Sequence, residues 1–271
     1  MRKWYVAGDS IMQKRSAWQI QKAVWYALLV RELKTRFGGY RLGYFWALFE
    51  PLSHIIVLSF LFSQIRDRGY YDVPFPVFFA TGILTYFVFQ KIVTMSQSSI
   101  TVNRGLFIYR QVKPFDAIVV RALIEFGIIV FSFAFLMWFG GWFFGYQWLP
   151  ADPLRMLLVL VLVFTLSLGF GLVTAMLGAM HEEWAKFIPI LMRPLYFISG
   201  IFFPLQALPS QFHKYLLWNP LLHAVEELRA SYLYSYPTTA TSLLYLLACA
   251  LPALYFGMLY YFNNRTRVLM T

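Results

Sequence analysis

The sequence predicts an all-α polytopic membrane protein with six transmembrane helices, and three observations support this fold class. Hydrophobic residues make up 60% of the 271 residues and charged residues only 13%, whereas a soluble domain is usually about 50% apolar and about 25% charged. The apolar residues occur in long runs, and Lys and Arg are concentrated in some of the segments between them. No soluble fold of this length could bury that much apolar surface, so the remainder must face lipid or a second subunit.

Residues 1–44 are predicted to form a cytoplasmic N-terminus with an interfacial amphipathic helix. In 16–37 apolar side chains recur near helical spacing and polar side chains occupy much of the rest, as in helices that lie in a membrane interface. Gly38-Gly39 ends this helix. The first 22 residues contain charged side chains but no apolar run, so no cleavable signal peptide is expected and insertion should use the first span.

A transmembrane domain is predicted over 45–262, followed by a cytoplasmic tail at 263–271. A helix rises about 1.5 Å per residue, so about 20 apolar residues cover the hydrocarbon core. By this measure the spans lie at about 45–65, 75–95, 117–144, 154–180, 187–204 and 241–262. The fifth span is unusual, because it is short and contains Pro189, Arg193 and Pro194.

The stretch at about 205–233 is predicted to form two short re-entrant helices that dip in from the outer face and break at Asn219-Pro220. It is half apolar, but prolines interrupt it too often for a single helix. Non-helical backbone survives at membrane depth only where protein or water covers it. An ordinary outer loop with an interfacial helix is the alternative.

The distribution of basic residues predicts the orientation. Seventeen of the 23 Lys and Arg residues lie on one side of the predicted membrane, five lie on the other side, and Arg193 lies within it. Because cytoplasmic loops carry the excess of Lys and Arg, both termini are predicted to be cytoplasmic. The net charge of +11 has the same origin, so it does not indicate a nucleic-acid partner.

Motifs for nucleotide binding and catalysis are absent from the sequence. It has no GxxxxGKS or GxxxxGKT phosphate-binding loop and no GxSxG motif, and HExxH fails because Ala185 stands where the second histidine would be. The four histidines lie on different segments, so no metal site is predicted. A membrane protein without its own energy motif is a channel, a gradient-driven carrier or one part of an assembly.

Three segments resemble the ABC-2 type permease family. They are RELKTRFGGYRLGYFWALFEPL at 31–52, NRGLFIYRQVKPFDAIVVRALIE at 103–125 and RPLYFISGIFFPLQALPSQFHKYLLWNPLLHAVEELR at 193–229, about a third of the chain. In that family these segments join the interface helix to the first span, connect spans 2 and 3, and form the outer-face region. Their detail is most similar to capsular polysaccharide exporter permeases of Gram-negative bacteria. O-antigen and teichoic-acid export permeases are nearer alternatives than drug exporters.

The resemblance implies an assembly in the bacterial inner membrane. Such permeases are homodimers that work with two copies of a separate ATPase subunit, which binds ATP and Mg, so no cofactor is expected in this chain. A periplasmic co-polymerase and an outer-membrane export protein complete the path. The substrate implied is a lipid-linked, acidic capsular polysaccharide, and membrane lipids surround the chain.

A surface for contact with the ATPase is predicted on the connection between spans 2 and 3. A short cytoplasmic segment held between two spans can transmit an ATPase movement to both of them as a rigid lever. The predicted coupling residues are Arg104, Phe107, Tyr109, Arg110 and Lys113. The alternative is that the cations of this segment only set topology.

A substrate path is predicted near the start of the first span. An acidic glycan needs cations for its phosphate or carboxylate groups and flat rings on which sugars can slide. The predicted path residues are Arg31, Arg36, Arg41, Tyr40, Tyr44, Phe45, Trp46, Glu50 and His54. Headgroup contacts of the arginines and an interfacial belt of the aromatic rings are the alternatives.

Charged residues inside predicted spans are costly and usually face a partner or a water-filled path. Arg193 is predicted to pair with Glu50 or Glu125, and a structural pair is favoured over a glycan site. A set of residues near an outer gate is predicted to hold the re-entrant pair together. These residues are Asn219, Pro220, Glu226, Glu227 and Arg229.

Two other function classes remain open at this point. A membrane glycosyltransferase or polymerase would share the aromatic and arginine residues, but it would need a catalytic carboxylate in a polar loop, and the loops here are short. A gradient-driven carrier should contain inverted repeats, and none is visible. Within the transport class, lipid or drug export is the alternative to glycan export.

Overall fold

The computed structural model describes residues 16–37, 43–65, 69–237 and 240–270. Within these ranges the chain is all-α, with short 3-10 turns between some helices and no strand. The helices are α1 (Ala17–Phe37), α2 (Gly43–Ile65), α3 (Phe75–Ser96), α4 (Ser99–Asn103), α5 (Pro114–Phe144), α6 (Pro153–Met180), α7 (Trp184–Ile198), α8 (Ser210–Leu216), α9 (Pro220–Tyr232) and α10 (Leu243–Met270). The predicted all-α class is confirmed for the described part of the chain.

Among the described helices, α3, α5, α6 and α10 are long and apolar enough to cross a membrane. They correspond to the predicted second, third, fourth and sixth spans. The apolar part of α2 is Phe49–Ile65, which extends about 26 Å, and α7 extends about 23 Å, both below the roughly 30 Å of a hydrocarbon core. Length and composition therefore supply four spans, and the number six stays a prediction.

Two helices end at other residues than the predicted spans do. The fifth segment, predicted over 187–204, is helical only as far as Ile198, because Gly200 turns the chain with a φ of +74°, a left-handed conformation that glycine adopts without strain. At the other end, α10 continues to Met270 through the stretch predicted as a tail. No glycine or proline follows Gly257 to end this helix.

The outer-face region contains the two short helices predicted there, α8 and α9, and the break between them lies at Asn219-Pro220. The Asn219 side chain accepts a hydrogen bond from the backbone N–H of Leu221 at 3.0 Å, and Pro220 takes the first helical position. Both are favoured choices at a helix N-terminus. Nearly all of α9 is buried, so this part of the chain is covered by protein rather than exposed as a loop.

Helix α3 is the centre of the protomer. Seventeen of its 22 residues are buried, and it packs against α2, α5, α6, α7 and α9. Two hydroxyls within it, those of Thr81 and Thr85, donate to backbone carbonyls of the preceding turn at 3.1 Å. Its polar groups are thereby satisfied inside the helix, which lets an otherwise apolar helix be buried on all sides.

Helices α6 and α10 cross at glycine. A Cβ atom on Gly169 would lie 2.4 Å from the backbone carbon of Ala253, and one on Gly257 would lie 2.3 Å from the Gly169 carbonyl oxygen. Only a residue without a side chain fits at either position. Small residues that allow such close approach replace the hydrophobic effect as the main source of helix association in a membrane.

Candidate transport path and coupling surface

Helices α2 and α7 both lie against α3, and aromatic rings mark the two contacts. The His54 ring of α2 meets Phe87 of α3 edge-on at 5.2 Å, and Tyr86 of α3 meets Tyr196 of α7 edge-on at 5.0 Å. Near the C-terminal ends of both helices, the ring of Phe202, which follows α7, stacks on Phe62 of α2 with ring centroids 6.3 Å apart. Helices α2 and α7, which carry Glu50, His54 and Arg193, therefore lie against neighbouring positions of α3.

Two of the aromatic residues predicted for the path lie on the surface of α2. The rings of Phe45 and Trp46 are exposed, and both pack against Phe49 with ring centroids 5.5 Å apart. Sequence reasoning missed Phe49, although its spacing of three and four residues places it on the same helical face. Tyr44 belongs to the first turn of α2, and Tyr40 and Arg41 lie outside the described residues.

Glu50 and His54 lie one turn further along α2. The Glu50 carboxylate forms an ion pair with Lys91 of α3, and its side chain keeps 46% of its surface exposed. The His54 ring donates through Nδ1 to the backbone carbonyl of Glu50 at 3.0 Å. Both residues are exposed on the protomer surface, so the structure brings these two predicted path residues together.

The predicted pairing of Arg193 is wrong within the protomer. Glu125 of α5 pairs with Arg36 of α1, and Glu50 pairs with Lys91, so both candidate carboxylates are already neutralised. The physical reason is proximity: α1 lies along the first half of α5 and carries its arginine to Glu125. Arg193 is exposed and forms no ion pair with any residue that the structure describes.

Helix α1 is fixed to α5 by an apolar contact. Val24 and Leu28 of α1 are buried against Val120 and Ile124 of α5. A helix is therefore present where one was predicted, and its buried apolar side chains face protein along α5. Sequence periodicity identified the apolar positions but could not identify the surface that covers them.

Polar contacts extend the α1–α5 contact on both sides. The buried carboxylate of Asp116 accepts hydrogen bonds from Gln21 and from the indole N–H of Trp25, the latter at 2.9 Å. Further along, Glu32 pairs with Arg121 at 2.7 Å, and the pair of Arg36 and Glu125 follows. Since the contacts advance together along both helices, α1 and α5 run in the same direction. Sequence reasoning missed Asp116, Glu32 and Arg121.

The predicted coupling residues follow α4. Arg104, Tyr109, Arg110 and Lys113 are exposed, whereas Phe107 is half-buried and packs against the core. Ile108, which sequence reasoning missed, exposes 86% of its surface beside Tyr109 with 65%. These two adjacent side chains leave apolar surface uncovered in the protomer.

A groove of about 540 Å³ separates α1 from this connection. Its walls include Ala23, Ala27 and Leu28 of α1 and Tyr109 and Val112 of the connection. Arg31 lies at the same groove, and its guanidinium donates to the Asn103 side chain at 3.2 Å. Of the three arginines predicted for the substrate path, Arg31 thus contacts α4 and Arg36 contacts α5.

Residues of α9 form a buried outer hub, which we define as Glu226, Glu227 and Arg229 with their contacts. The fully buried Arg229 guanidinium donates to the carbonyls of Gly200 at 2.6 Å and Ile201 at 2.9 Å, just after α7. It also lies 3.7 Å over the ring of Phe78 in α3. Arg229 therefore ties α9 to α3 and to the chain that follows α7.

The two carboxylates of the outer hub have separate partners. Glu226 lies 3.4 Å from Arg229 and accepts from the Tyr236 hydroxyl at 2.9 Å. Burial raises the pKa of Tyr236, so its hydroxyl stays protonated and donates. Glu227 pairs with Arg155 of α6 at 2.6 Å and accepts from Thr241 at 3.0 Å. The hub thus brings together residues that were predicted near an outer gate.

Two further observations limit the chemistry of the site. No group of three or more potential metal ligands occurs among the described residues. The Asp152 side chain accepts a hydrogen bond from the backbone N–H of Arg155 at 3.0 Å and caps α6. Its carboxylate therefore has a structural role at a helix N-terminus.

These helices, four of which are long and apolar enough to cross a membrane, define a multi-pass membrane protein. The sequence pattern of the ABC-2 type transporter family matches residues 23–233. The chain belongs to the ABC-2 type transporter family.

Relatives along most of the chain carry transport names. The chain is 42% identical to the polysialic acid transport protein KpsM of Escherichia coli over 260 residues, which cover 95% of this chain and 99% of that protein. It is 30% identical to the capsule polysaccharide export inner-membrane protein CtrC of Neisseria meningitidis, over 88% of this chain and 90% of that protein. It is 26% identical to the O-antigen export system permease protein RfbA of Myxococcus xanthus, over 75% of this chain and 78% of that protein.

Proposed function

We propose that this chain is the membrane permease subunit of an ATP-driven exporter that moves capsular polysaccharide across the bacterial inner membrane. The observation that carries the proposal is similarity over 95% of the chain to a polysialic acid transport protein. The exposed aromatic rings and ionisable residues of α2 and α7 support it, because a glycan path through lipid needs both.

The proposed topology has six spans and both termini in the cytoplasm. Helix α2 supplies the first span, and α7 supplies the fifth together with the turn that follows it. Helices α8 and α9 then form the re-entrant pair at the outer face, with α9 covered by protein. The excess of Lys and Arg in the N-terminal region and in the connection after α3 supports this orientation.

The proposed assembly is a homodimer of this chain with two copies of an ATPase subunit that binds ATP and Mg. A periplasmic co-polymerase and an outer-membrane export protein continue the path to the cell surface. The chain has no phosphate-binding loop of its own, which supports a separate source of energy. Membership of an ABC transporter family implies such an ATPase.

The ATPase contact is proposed at the connection after α4. Ile108 and Tyr109 supply exposed apolar surface, and the adjacent groove beside α1 gives a protruding segment of the ATPase a place to dock. Because Asp116 and the Glu32–Arg121 pair fix α1 to α5, a push on this surface moves α1 and α5 together. Arg36 and Glu125 carry that movement to the residues just before α2.

The test is to express the chain with its neighbouring ATPase, purify the complex and reconstitute it in vesicles. A complex of two permeases and two ATPases whose ATP hydrolysis is stimulated by the acidic capsular glycan is the expected result. O-antigen export is the second candidate, favoured by the relative from Myxococcus xanthus. Stimulation by a neutral O-antigen chain and not by the capsular glycan would favour it, and a stable protomer without an ATPase partner would contradict both.

A further inference from the structure

Arg193 is a cation without a counter-charge in the described protomer. It lies in α7, nine residues after Trp184, which corresponds to about 13 Å along the helix. Its helix exposes apolar neighbours, including Phe187, Ile190 and Phe197. A charged side chain is too costly on a lipid-facing surface at this depth, so it must face a partner or a water-filled path.

The carboxylates of the described membrane-depth helices are all committed to other groups. Glu50 pairs with Lys91 and Glu125 pairs with Arg36. In the outer hub, Glu226 contacts Arg229 and Glu227 pairs with Arg155, as described above. A second copy of the chain offers the same set by symmetry, so it brings no uncommitted carboxylate from these helices to Arg193.

The nearest acidic residues along the chain do not change this conclusion. Glu182 and Glu183 precede α7, and ten or more residues separate them from Arg193, about 15 Å along a helix. No residue that the structure describes therefore supplies the counter-charge of Arg193. A lipid phosphate lies at the membrane surface rather than at this depth, which points to the transported substrate as the source of that charge.

We propose that Arg193 is a specificity-determining residue that selects acidic glycans. Its guanidinium supplies a positive charge to the path, and the carboxylate or phosphate groups of the moving polysaccharide pass it. This inference rests on the proposed function and names the feature of the substrate that the path recognises. A guanidinium suits the task, because it stays charged in every environment and matches the planar geometry of a carboxylate or the oxygens of a phosphate.

The contacts of the other cations explain why the Arg193 guanidinium is available to bind a mobile anion. Each of the other cations at membrane depth whose contacts are described above holds a helix in place through its carboxylate or carbonyl partners. Arg193 holds no such contact with the described residues, so binding a mobile anion does not compete with packing. An isolated charge in the path also favours weak, repeated contacts over tight binding, which suits a polymer that must keep moving.

The experiment uses the complex of this chain with its ATPase in vesicles of zwitterionic lipid. Two substrates are compared: the acidic capsular glycan, and the same glycan after its carboxylates have been reduced to alcohols. The measured quantity is the ratio of the two transport rates, with glycan-stimulated ATP hydrolysis as a second readout. The variants are R193Q, R193K and the control K186Q, which removes a charge from an exposed position of the same helix.

We expect R193Q to lower the acidic-to-reduced ratio about tenfold, as for loss of one charge-assisted contact. R193K should keep the ratio within about threefold of the starting protein, because it keeps the charge but loses the planar fork. K186Q should leave the ratio unchanged. Repeating the comparison in vesicles with anionic lipid should leave the effect in place, since the anion is on the glycan.

If R193Q lowers the transport rates of both substrates equally, or leaves their ratio unchanged, the inference is overturned while the proposed function stands. An effect that disappears when anionic lipid is added would overturn it in favour of a lipid phosphate. If R193Q does not assemble with the ATPase, Arg193→Leu replaces it, because leucine matches the apolar neighbours. Failure of either glycan to stimulate the unaltered complex would overturn the proposed function and this inference with it.

Discussion

The α1–α5 contact and the outer hub both join distant parts of the chain through charged residues, but they differ in burial. In the α1–α5 contact the Arg36 side chain keeps 30% of its surface exposed while Glu125 keeps 2%. In the outer hub both Arg229 and Glu226 are fully buried, and backbone carbonyls of other segments accept hydrogen bonds from the guanidinium. One contact therefore joins a surface helix to the core, and the other lies within the core.

This difference assigns different roles to similar residues. The Arg36–Glu125 pair can separate at lower cost than a fully buried pair, because water reaches the partly exposed Arg36 when its partner is lost. Fully buried charges cannot separate without leaving an uncompensated group, which costs far more. The α1–α5 contact is thus suited to transmit movement, and the outer hub is suited to hold α9 in a fixed position against α3 and α6.

The largest effect on stability is expected from Arg229→Met in the outer hub. The substitution removes the bonds to Gly200 and Ile201 and leaves the buried Glu226 carboxylate without a cation beside it. Breaking one side of a buried pair costs about 3 to 5 kcal/mol. We expect a large fall in the free energy of unfolding, seen as a lower thermal midpoint in detergent and a lower yield of folded protein.

The control for this prediction is Lys214→Gln. Lys214 is an exposed cation on α8, on the same outer part of the chain, and its loss should change stability by less than about 0.5 kcal/mol. Equal thermal midpoints for R229M and K214Q would show that the hub does not hold the structure together.

In the α1–α5 contact we expect the loss of Arg36 and the loss of Glu125 to lower the free energy of unfolding by different amounts. Arg36→Gln leaves the nearly inaccessible Glu125 carboxylate without this partner and should cost about 2 kcal/mol, whereas Glu125→Gln leaves a partly exposed Arg36 and should cost under about 1 kcal/mol. The double variant should be closer to E125Q than to the sum. A double-mutant cycle on unfolding measures these values, and additive losses would show that the pair is not coupled.

A smaller effect on the outer hub is expected from Gly82→Ala. A Cβ atom there would lie 2.6 Å from the Arg229 Nη2 atom, so the guanidinium must shift and weaken its carbonyl bonds. Because the end of a long side chain can yield, the cost should be near the lower limit for overpacking, about 1 kcal/mol. Gly127→Ala is the control, since nothing lies within 4 Å of a Cβ atom at that position, and equal stability of both variants would contradict the close contact.

The sequence predicted elements well where a signal is local. Hydropathy located α3, α5, α6 and α10, helical spacing located α1, and Asn219-Pro220 marked the start of α9. Each of these depends on a few neighbouring residues. The end of α7 was wrong because the turn at Gly200 depends on a backbone conformation that the surrounding apolar residues conceal.

Pairing of charges was predictable only in part. Glu226 and Arg229 are three residues apart on one helix, so their proximity follows from helical geometry. Arg36 and Glu125 are 89 positions apart, and nothing in the sequence states that α1 lies along α5. A charge placed in a span by hydropathy therefore indicates that a partner exists, and only the fold identifies it.

The smallest effect on stability, with a clear effect on export, is expected at the proposed ATPase contact. Tyr109 is mostly exposed, so Tyr109→Ala should leave the thermal midpoint unchanged and lower export per ATP hydrolysed several-fold. Phe107 packs against the core, so Phe107→Ala should lower the midpoint as well as export. Measuring both quantities in reconstituted complexes separates lost contact from lost structure. Normal export by Y109A would remove this residue from the contact, and a lowered midpoint in Y109A would mean that the connection belongs to the rigid part of the molecule.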